Sequence, residues 1–539
     1  MTLKADQFDA FFGELWETRD SDGVLRRYEP FPWQRRLAQQ VCEGEWPSLI
    51  DLPTASGKTA CLDIAVFALA IQASRPAAQR TVGRRVFFVV NRRVIVDEAN
   101  ARAARIAAKL QDALNDEGPQ SVLRQAAEAL QEISGDIAAP PLDVALLRGG
   151  IYRDNRWARS ITQPTIITST IDQIGSRLLF RGYGVSDAAR PIHAALIAHD
   201  SLLLLDEAHI SQPFAQTLEA IQSYRGEKWA TQPLSTPFVV VQMTATPGRS
   251  DVDQFRLDAA DRKHSVLAAR RSASKPAKLL ISEKAKGKNA AAATAALAET
   301  LAEAALGLLS DERRTVAIIV NRIATAREVY RQLGANKPLS DTDNAAQLCL
   351  VIGRMRSIDR DALTPAIQAR VGGEGTRTTG TPPLFVVATQ CLEVGADFDF
   401  DALVSECASL DSLRQRFGRL NRTGRPLDAL GRVVIRADQV DRKDDPVYGS
   451  ALASTWEWLR SVAANDTVDF GIATMEATLD GIDVTGLLAE RAHAPVMFPA
   501  YADAWSQTNP TPSPDPDVAL FLHGPARGEP DVNVCWRAD

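Results

Sequence analysis

The sequence predicts an α/β protein built from two successive domains, each with a parallel sheet. The chain has 539 residues, and a single hydrophobic core stops growing near ~250–300 residues. Its strand candidates are apolar on both faces, which is typical of strands buried between two layers of helices. Helix candidates alternate with these strands, and the alternation stops once and then restarts. This pattern indicates two doubly wound domains in tandem.

The first run of alternating elements fills the first half of the chain. Its strand candidates are residues 48–54, 85–91, 144–149, 165–170, 201–207 and 238–246. The helix candidates between them are residues 59–74, 93–117, 120–134 and 172–180. We therefore expect a first domain over residues 1–250.

A charged segment over residues 251–288 follows, and it holds six of the chain's 12 lysines. We predict a linker or insert there, with one strand at 277–282. The alternation then restarts and predicts a second domain over residues 289–440. Its candidates are a helix at 289–309 and strands at 315–321, 348–353, 384–389, 402–407 and 432–438.

Residues 441–539 show a weaker pattern and are predicted to form a C-terminal accessory region. We expect a helix around 447–464, an extended proline-rich stretch at 508–517, and strands at 518–524 and 531–539. The sequence stops without an evident terminator, so the region is expected to be truncated, with a further domain lying beyond residue 539.

Composition excludes several classes of protein. Hydrophobic residues make up 45% and charged residues 24% of the chain, as in ordinary globular proteins. No apolar run approaches the ~20 residues of a membrane helix, so no membrane partner is expected. Six cysteines lie singly, without a CxxC pair, which favours a reducing cytoplasm over a zinc ribbon or a disulfide framework. A net charge of -6 argues at first against a nucleic-acid binder.

The segment LPTASGKTA (52–60) lies between a strand candidate and a helix candidate. This is the arrangement of a phosphate-binding loop, in which backbone N–H groups and a helix N-terminus surround an anion. Lys58 would reach the β- and γ-phosphates of ATP, and Thr59 would hold Mg²⁺. The other loop residues predicted to bind the nucleotide are Thr54, Ser56 and Gly57. Leu52 stands where the first glycine of such loops is usual, so a helix start with a chance GKT is the alternative.

The segment LLLLDEAH (202–209) predicts a buried strand that delivers two carboxylates at its C-terminal end. Ligands of parallel sheets bind at that edge. Asp206 is the candidate for holding Mg²⁺, directly or through water. Glu207 is the candidate for orienting or deprotonating the attacking water. The alternative is a strand end with two solvated acids.

Five segments in this order resemble the motif series of superfamily 2 helicases. They are PTASGKT, DEAH, MTATP (243–247), ATQCLEVGAD (388–397) and QRFGRLNRTGR (415–425). The resemblance implies two RecA-like domains with ATP bound in the cleft between them. FPWQ (31–34) is similar to the family's adenine-reading element, with Gln34 as the reader. The similar region runs from residue 31 to residue 436.

The last segment, residues 415–425, is called the arginine motif below. Arg419 and Arg422 are three residues apart, so on a helix they would share a face. The resemblance assigns them to the γ-phosphate, where guanidinium groups stabilise charge in the transition state. It also places Gln415, Gly395 and Asp397 at the nucleotide, and it lets Thr244 and Thr246 connect the ATP site with the nucleic-acid groove. A basic face that meets nucleic-acid backbone is the alternative for Arg416 and Arg425.

Further segments resemble the helicase of type I CRISPR systems. They are VNRRVIVDEA (90–99), TSTIDQ (168–173), VNRIATAREVY (320–330) and GRMRSIDR (353–360). The resemblance implies ATP-driven 3′-to-5′ translocation on single-stranded DNA, after recruitment by the crRNA-guided complex Cascade. It also implies an HD nuclease as a partner. With only six histidines in the chain, we predict no nuclease metal site in residues 1–539, and an HD domain either beyond them or in a separate subunit.

Polar residues after the predicted strands are the candidates for contacting DNA. They are Asn91, Arg92, Thr168, Asn321, Arg322 and Thr389. Each of them would also suit a helix cap. Two rival functions remain, namely a DEAH-type RNA helicase and a catalytically idle nucleic-acid-binding scaffold. The overall acidity does not exclude nucleic acid, because residues 404–436 carry seven arginines against three acids.

Overall fold

Two seven-stranded sheets with flanking helices form the framework of the chain, which confirms the α/β class. The structure is a computed structural model. It describes residues 3–19, 24–91, 93–116, 118, 120–149, 155–232, 234–245, 254–287, 289–335, 346–353, 355–372, 381–393, 397–442 and 444–525. Backbone contacts divide the chain into two units. The first is Met1–Leu52, Thr59–Arg256 and Arg491–Asp539, and the second is Pro53–Lys58 and Leu257–Glu490.

The first sheet follows a short antiparallel hairpin of β1 (Thr18–Arg19) and β2 (Leu25–Arg26). Its strands are β3 (Leu49–Asp51), β4 (Arg85–Val90), β5 (Asp143–Leu147), β6 (Thr165–Thr170), β7 (Ser201–Leu205), β8 (Phe238–Thr244) and β9 (Gln254–Arg256). They lie in the order β5-β6-β4-β7-β8-β3-β9, and every neighbouring pair is parallel. All residues of the central strands β4, β6 and β7 are buried, which accounts for their unbroken apolar sequences.

In the part of the chain that the structure describes, eight helices lie before or between the strands of this sheet. They are α1 (Phe8–Leu15), α2 (Pro32–Glu43), α3 (Cys61–Ile71), α4 (Arg93–Asn115), α5 (Val122–Ser134), α6 (Ile171–Leu178), α7 (Arg190–Ala198) and α8 (Gln212–Arg225). The sequence CLDIAVFALAI makes α3 apolar on all sides, and the helix is buried over Cys61–Ala70 accordingly. Helix α5 ends at Gly135, whose φ of 73° is the left-handed conformation that glycine adopts at helix ends without strain.

The second sheet contains six parallel strands and one antiparallel edge strand. The strands are β10 (Pro276–Ser282), β11 (Thr315–Ile319), β12 (Gln347–Val351), β13 (Leu384–Ala388), β14 (Ala402–Glu406), β15 (Leu430–Arg436) and β16 (Thr467–Asp469). They lie in the order β12-β13-β11-β14-β15-β10-β16. Strand β16 pairs antiparallel with β10. The sequence did not predict β16, because three residues are too few to show a periodic pattern.

Helices of the second unit lie before, between and after these strands. They are α9 (Ala259–Lys263), α10 (Ser265–Ser272), α11 (Ala290–Leu306), α12 (Ile323–Gly334), α13 (Ser357–Val371), α14 (Leu410–Phe417), α15 (Ala451–Val462) and α16 (Ile472–Leu479). Helices α11 and α12 contribute Leu297, Leu301 and Val329 to a core shared with strands β11, β13 and β14. The helices predicted at 289–309 and 447–464 are thereby confirmed as α11 and α15.

The C-terminal stretch returns to the first unit, where α17 (Pro499–Ser506) and α18 (Ala519–His523) lie. The strand predicted at 518–524 is wrong. Asp517 accepts a hydrogen bond from the N–H of Ala519 at 2.8 Å and starts a helix there, and Gly524 ends it with a φ of 79°. The strand predicted at 531–539 lies outside the described residues, whereas residues 508–517 contain no helix or strand, as expected.

The structure divides two of the predicted segments differently from the sequence boundaries. The predicted linker 251–288 supplies β9 to the first sheet and β10 to the second. The predicted accessory region changes unit at Arg491. The returning part is held by buried aromatic packing of Trp505 and Phe521 and by ion pairing of Arg181 with Asp515 at 2.8 Å. Within the described ranges, the helices are too short or too polar to span a bilayer.

Candidate functional site

The predicted phosphate loop follows β3 and turns twice through the left-handed region of φ. Ala55 has a φ of 60° and Gly57 a φ of 83°, while the Ser56 hydroxyl donates to the Pro53 carbonyl at 2.8 Å. A non-glycine residue at positive φ is uncommon. Left-handed residues in a tight loop redirect successive N–H groups into a concave nest that suits anions. Leu52, which replaces the usual glycine, is fully buried.

Lys58 and Thr59 begin a 3₁₀ turn over Lys58–Ala60 that continues directly into α3. Asp63, in the first turn of α3, has a completely buried side chain that holds this end of the helix in place. Asp63 accepts hydrogen bonds from the Trp16 indole at 2.6 Å and the Arg102 guanidinium at 2.7 Å. Sequence reasoning missed Asp63, because its partners lie 47 and 39 residues away and leave no local pattern.

The DEAH segment begins where β7 ends, as predicted. Strands β7 and β3 run parallel with only β8 between them, so the two motifs leave the sheet at the same edge. Asp206 is 8% exposed, and its Oδ1 accepts the Glu207 N–H at 3.0 Å. Glu207 has a φ of 49°, a left-handed conformation that is found at functional sites where the surroundings enforce it.

His209 is a residue of this segment whose role sequence reasoning missed. It is 9% exposed, and its Nδ1 lies 3.2 Å from the Thr244 hydroxyl and 3.4 Å from Glu207 Oε2. His209 thus connects the end of β7 with the end of β8, where Thr244 was predicted to transmit changes from the ATP site. Thr246, the other residue of that prediction, lies outside the described residues. The signal for His209 was present in the sequence as the last letter of DEAH.

The residues proposed for Mg²⁺ fit a hard divalent cation. The Thr59 hydroxyl and the Asp206 carboxylate both supply oxygen ligands, which Mg²⁺ prefers. Their assignment remains a prediction. Among the side chains that the structure describes, no three or more His, Cys, Asp or Glu residues gather in a way that would hold a metal ion.

Gln34, the predicted adenine reader, is the third residue of α2 and is only 3% exposed. Its Oε1 accepts the Phe31 N–H at 2.8 Å, which fixes the turn of FPWQ. The side chain therefore has a structural role in shaping the segment. Adenine reading by Gln34 stays a prediction.

The arginine motif does not continue as one helix, so the prediction that Arg419 and Arg422 share a helical face is wrong. Helix α14 contains Gln415 and ends at Phe417. Beyond Gly418 the chain bridges to another segment instead. The Phe400 N–H donates to the Arg419 carbonyl at 2.8 Å, and the Asn421 N–H donates to the Phe400 carbonyl at 2.9 Å. These backbone bonds take the place of further helical ones.

Both arginines nevertheless point to one stretch of chain, residues 392–399. Arg419 is 6% exposed and donates to the carbonyls of Leu392 at 3.2 Å and Glu393 at 3.0 Å. Arg422 Nε lies 2.6 Å from Asp397 Oδ1. The structure thus brings the arginine motif and the end of the predicted segment 388–397 together within the second unit. Gly395 lies outside the described residues.

Arg416 is fully buried, so the alternative that it touches nucleic-acid backbone is wrong. Its guanidinium binds the Glu393 carboxylate at 2.7 Å. It also donates to the Asn321 side-chain oxygen at 2.8 Å and the Tyr448 hydroxyl at 2.9 Å. Glu393 therefore joins the two arginines, through its side chain to Arg416 and through its carbonyl to Arg419.

Arg425 is held by two buried acids. Its guanidinium lies 3.1 Å from Asp399 and 2.9 Å from Asp401. Asp399 also accepts the backbone N–H of Arg422 at 2.7 Å. The observed partners of Arg425 are therefore carboxylates that shape the turn after Arg422.

The predicted DNA contacts divide by burial. Thr168 lies inside β6, is completely buried, and donates to the Asn100 side chain at 3.2 Å. Asn321 is 6% exposed, and it is bonded to Glu406, Cys407 and Arg416. Both side chains are buried, and DNA contact by Thr168 and Asn321 stays a prediction.

The remaining DNA candidates are placed as follows. Thr389 is 5% exposed at the end of β13. Asn91 and Arg322 are at least partly exposed after β4 and β11. Arg92 lies outside the described residues. Asn91 and Arg322 are therefore the predicted contacts that solvent can reach.

The chain bends at the dipeptide His199-Asp200, immediately before β7. Asp200 has a φ of 52° and pairs with Arg80 and Arg84, both at 3.1 Å. Burial lowers the pKa of the nearby Arg85 to about 10. The carboxylate of Asp200 is thus used in neutralising buried arginines at the start of β7.

Two family models match parts of this chain. Residues 27–249 match the family model described as type III restriction enzyme, res subunit. Residues 312–425 match the model described as CRISPR-associated nuclease/helicase Cas3, C-terminal. These matches, together with the phosphate loop, the DEAH segment and the arginine motif on two α/β units, support a similarity to superfamily 2 helicases of the Cas3 type.

Similar proteins agree with this placement. The CRISPR-associated nuclease/helicase Cas3 of Methanothermobacter thermautotrophicus is 29% identical over 119 residues, which is 22% of this chain and 12% of the relative. The Cas3 of Streptococcus thermophilus is 30% identical over 112 residues, or 21% of this chain and 11% of the relative.

Solved structures share the fold. The crystal structure of T. fusca Cas3-AMPPNP has a TM-score of 0.53 at 20% identity and covers 87% of this chain and 53% of that chain. T. fusca Cas3-ADP has a TM-score of 0.55 at 20% identity, with 88% and 53% covered. The chain thus spans about half the length of the solved Cas3 chains that it matches.

Proposed function

We propose that the chain is an ATP-dependent translocase on single-stranded DNA that serves type I CRISPR interference. The observation that carries this proposal is the edge of the first sheet. A loop with left-handed Ala55 and Gly57 leads into Lys58 there, and the carboxylates of Asp206 and Glu207 follow a parallel strand of the same sheet. Such an arrangement suits binding and hydrolysis of a nucleoside triphosphate.

Each of these groups has a task in the proposed hydrolysis. Backbone N–H groups of the loop and the Lys58 ammonium hold the phosphates. Thr59 and Asp206 would hold Mg²⁺, which supplies positive charge against the β- and γ-phosphate oxygens. Glu207 accepts a proton from the attacking water. Gln34, Asp397 and Gln415 contact the nucleotide.

The proposed partners are those that the resemblance to the helicase of type I CRISPR systems implies. We propose 3′-to-5′ movement, recruitment by a Cascade-type crRNA-guided complex, and cleavage of the DNA by an HD nuclease that is located outside residues 1–539 or on another subunit. Arg322 and Asn91, both partly exposed, are the proposed DNA contacts.

The function is tested by steady-state ATP hydrolysis with single-stranded DNA or single-stranded RNA of the same sequence. We expect stimulation by DNA and little by RNA. Stimulation by RNA alone would support the DEAH-type RNA helicase, because such enzymes read the 2′-hydroxyl. Binding of DNA without any hydrolysis would support the idle scaffold.

Arg419→Ala should slow DNA-stimulated hydrolysis by ~10³-fold or more while nucleotide binding is retained. The reason is that a guanidinium aimed at the γ-phosphate acts on the charge of the transition state. The measurement is kcat together with equilibrium binding of a fluorescent ATP analogue. Arg432→Ala, on β15, is the control and should keep wild-type kcat. Loss of analogue binding in Arg419→Ala would instead indicate a role in forming the site.

A further inference from the structure

Lys275 is a buried lysine that the proposed ATP chemistry does not use. It precedes β10, is only 2% exposed, and belongs to the lysine-rich segment 251–288. Its Nζ donates to the Phe417 carbonyl at 3.0 Å. Lysine is almost never fully buried unless it is paired. The position of this ammonium group therefore requires an explanation.

The acceptor, Phe417, is the last residue of α14 and stands two residues before Arg419. The last carbonyls of a helix lack partners within the helix, and the negative end of the helix dipole favours a cation. Lys275 supplies both a donor and a charge at this end. The Phe417 ring also stacks on Phe470, with centroids 4.1 Å apart and an interplanar angle of 8°.

The surroundings fix Lys275 itself. Its backbone N–H donates to Asp469 Oδ1 at 2.6 Å, and its carbonyl accepts the Phe470 N–H at 3.0 Å. Lys275 thus binds the carbonyl of Phe417, and Phe470 packs against its ring. The edge strand β16 ends at Asp469 and so places Phe470 beside the end of α14.

A buried charge of opposite sign acts at the other end of the same turn. Asp399 is 1% exposed and accepts the Arg422 N–H at 2.7 Å. Lys275 therefore holds Phe417, two residues before Arg419, and Asp399 holds the backbone of Arg422 itself. The charged groups that act on Lys275 are Asp399, Asp469, Arg419 and Arg422.

We propose that Lys275 is a positioning residue whose ammonium group fixes the end of α14 and thereby places Arg419 and Arg422 against the γ-phosphate of the bound nucleotide. This inference rests on the proposed ATP hydrolysis. It adds a pH-dependent anchor to that site, because the hydrogen bond to Phe417 is charge-assisted only while Lys275 is protonated.

Burial lowers the pKa of Lys275 from 10.5 to about 8, opposed by Asp399 and Asp469 and reinforced by Arg422 and Arg419. The anchor should therefore lose its charge as the pH rises through about 8. The folded state binds this proton less tightly than the unfolded state does. The contribution of Lys275 to the free energy of unfolding should therefore increase as the pH rises from 8 to 10.5. The rate of ATP hydrolysis should decline over the same interval.

The test compares wild type, Lys275→Met and the control Lys278→Met from pH 7 to pH 9.5. Lys278 lies on β10, three residues after Lys275, and is exposed. The measurements are kcat, KM for ATP and the thermal unfolding midpoint. In Lys275→Met we expect kcat at pH 7 to fall ~10-fold, the equivalent of one charge-assisted hydrogen bond. KM should stay within ~2-fold of the wild-type value. The decline of kcat at alkaline pH that we expect for wild type should be absent from Lys275→Met.

The thermal midpoint separates positioning from a structural role. Lys275→Met should unfold at the same or a higher temperature than wild type at pH 7, because it removes a charge that is costly to bury. Lys278→Met should follow wild type throughout. A fall of kcat together with a fall of the midpoint would overturn the inference, as would an unchanged kcat and pH profile in Lys275→Met.

Wild type provides a readout that needs no substitution. A wild-type kcat that is flat from pH 7 to pH 9.5 contradicts the anchor, even if Lys275→Met fails to fold. If DNA stimulates hydrolysis but the pH profile of kcat is flat, the inference about Lys275 is refuted and the proposed function is not. Absence of hydrolysis in wild type contradicts the proposed function and the inference together.

Discussion

Lys58→Ala is expected to reduce ATP hydrolysis ~10³-fold or more, essentially to background, while the protein stays folded. The ammonium group at the start of α3 is the proposed contact to the β- and γ-phosphates, and a single lost electrostatic contact in such a site has effects of this size. Lys58 is only partly buried in a loop, so its truncation should not disturb the core. The measurement is kcat at saturating ATP and single-stranded DNA, with circular dichroism to check folding.

The control for this substitution is Lys109→Ala on α4, which should hydrolyse ATP at the wild-type rate. A near-normal rate for Lys58→Ala would refute the assignment of residues 52–60 as the phosphate loop. A loss of structure in Lys58→Ala would show that the lysine supports the loop rather than the nucleotide.

Arg416→Met is expected to destabilise the second unit by about 3–5 kcal/mol. The substitution leaves the buried Glu393 carboxylate without its cation, and it removes hydrogen bonds to Asn321 and Tyr448. The neighbouring Glu406 is 3% exposed, and its burial raises its pKa. The measurement is urea unfolding, followed by hydrogen exchange of the amides of α14.

Arg331→Met provides the contrast, because Arg331 forms an exposed pair with Glu328 on α12. Exposed pairs contribute little, so the unfolding midpoint should hardly move. If Arg416 were a DNA contact, Arg416→Met would keep normal stability and bind DNA with a shallower salt dependence. That outcome would contradict the buried network.

The sequence predicted the strands well because burial on both faces leaves an unmistakable apolar run. TIITST, for instance, became β6 with the predicted bounds. The two nucleotide motifs were also readable, since each is one short segment next to one strand. The fold class could therefore be inferred locally, and so could the candidate ATP residues of these two motifs, whose roles stay predictions.

The missed features depend on partners far along the chain. Arg416 looks like a surface arginine in sequence, yet Asn321 and Tyr448 enclose it from 95 and 32 residues away. The spacing of Arg419 and Arg422 suggests a helix, but bonding to Phe400 redirects the backbone. Single-sequence patterns report local periodicity, so they do not reveal such long-range contacts.

The division of the chain has a mechanical consequence. Residues 257–490 belong to one unit together with residues 53–58, whereas the rest of the chain belongs to the other. The second sheet thus lies in a long insertion that is joined to the first unit by two tethers, one near residue 256 and one near residue 490. A single proteolytic cut in either tether would leave the two units covalently joined.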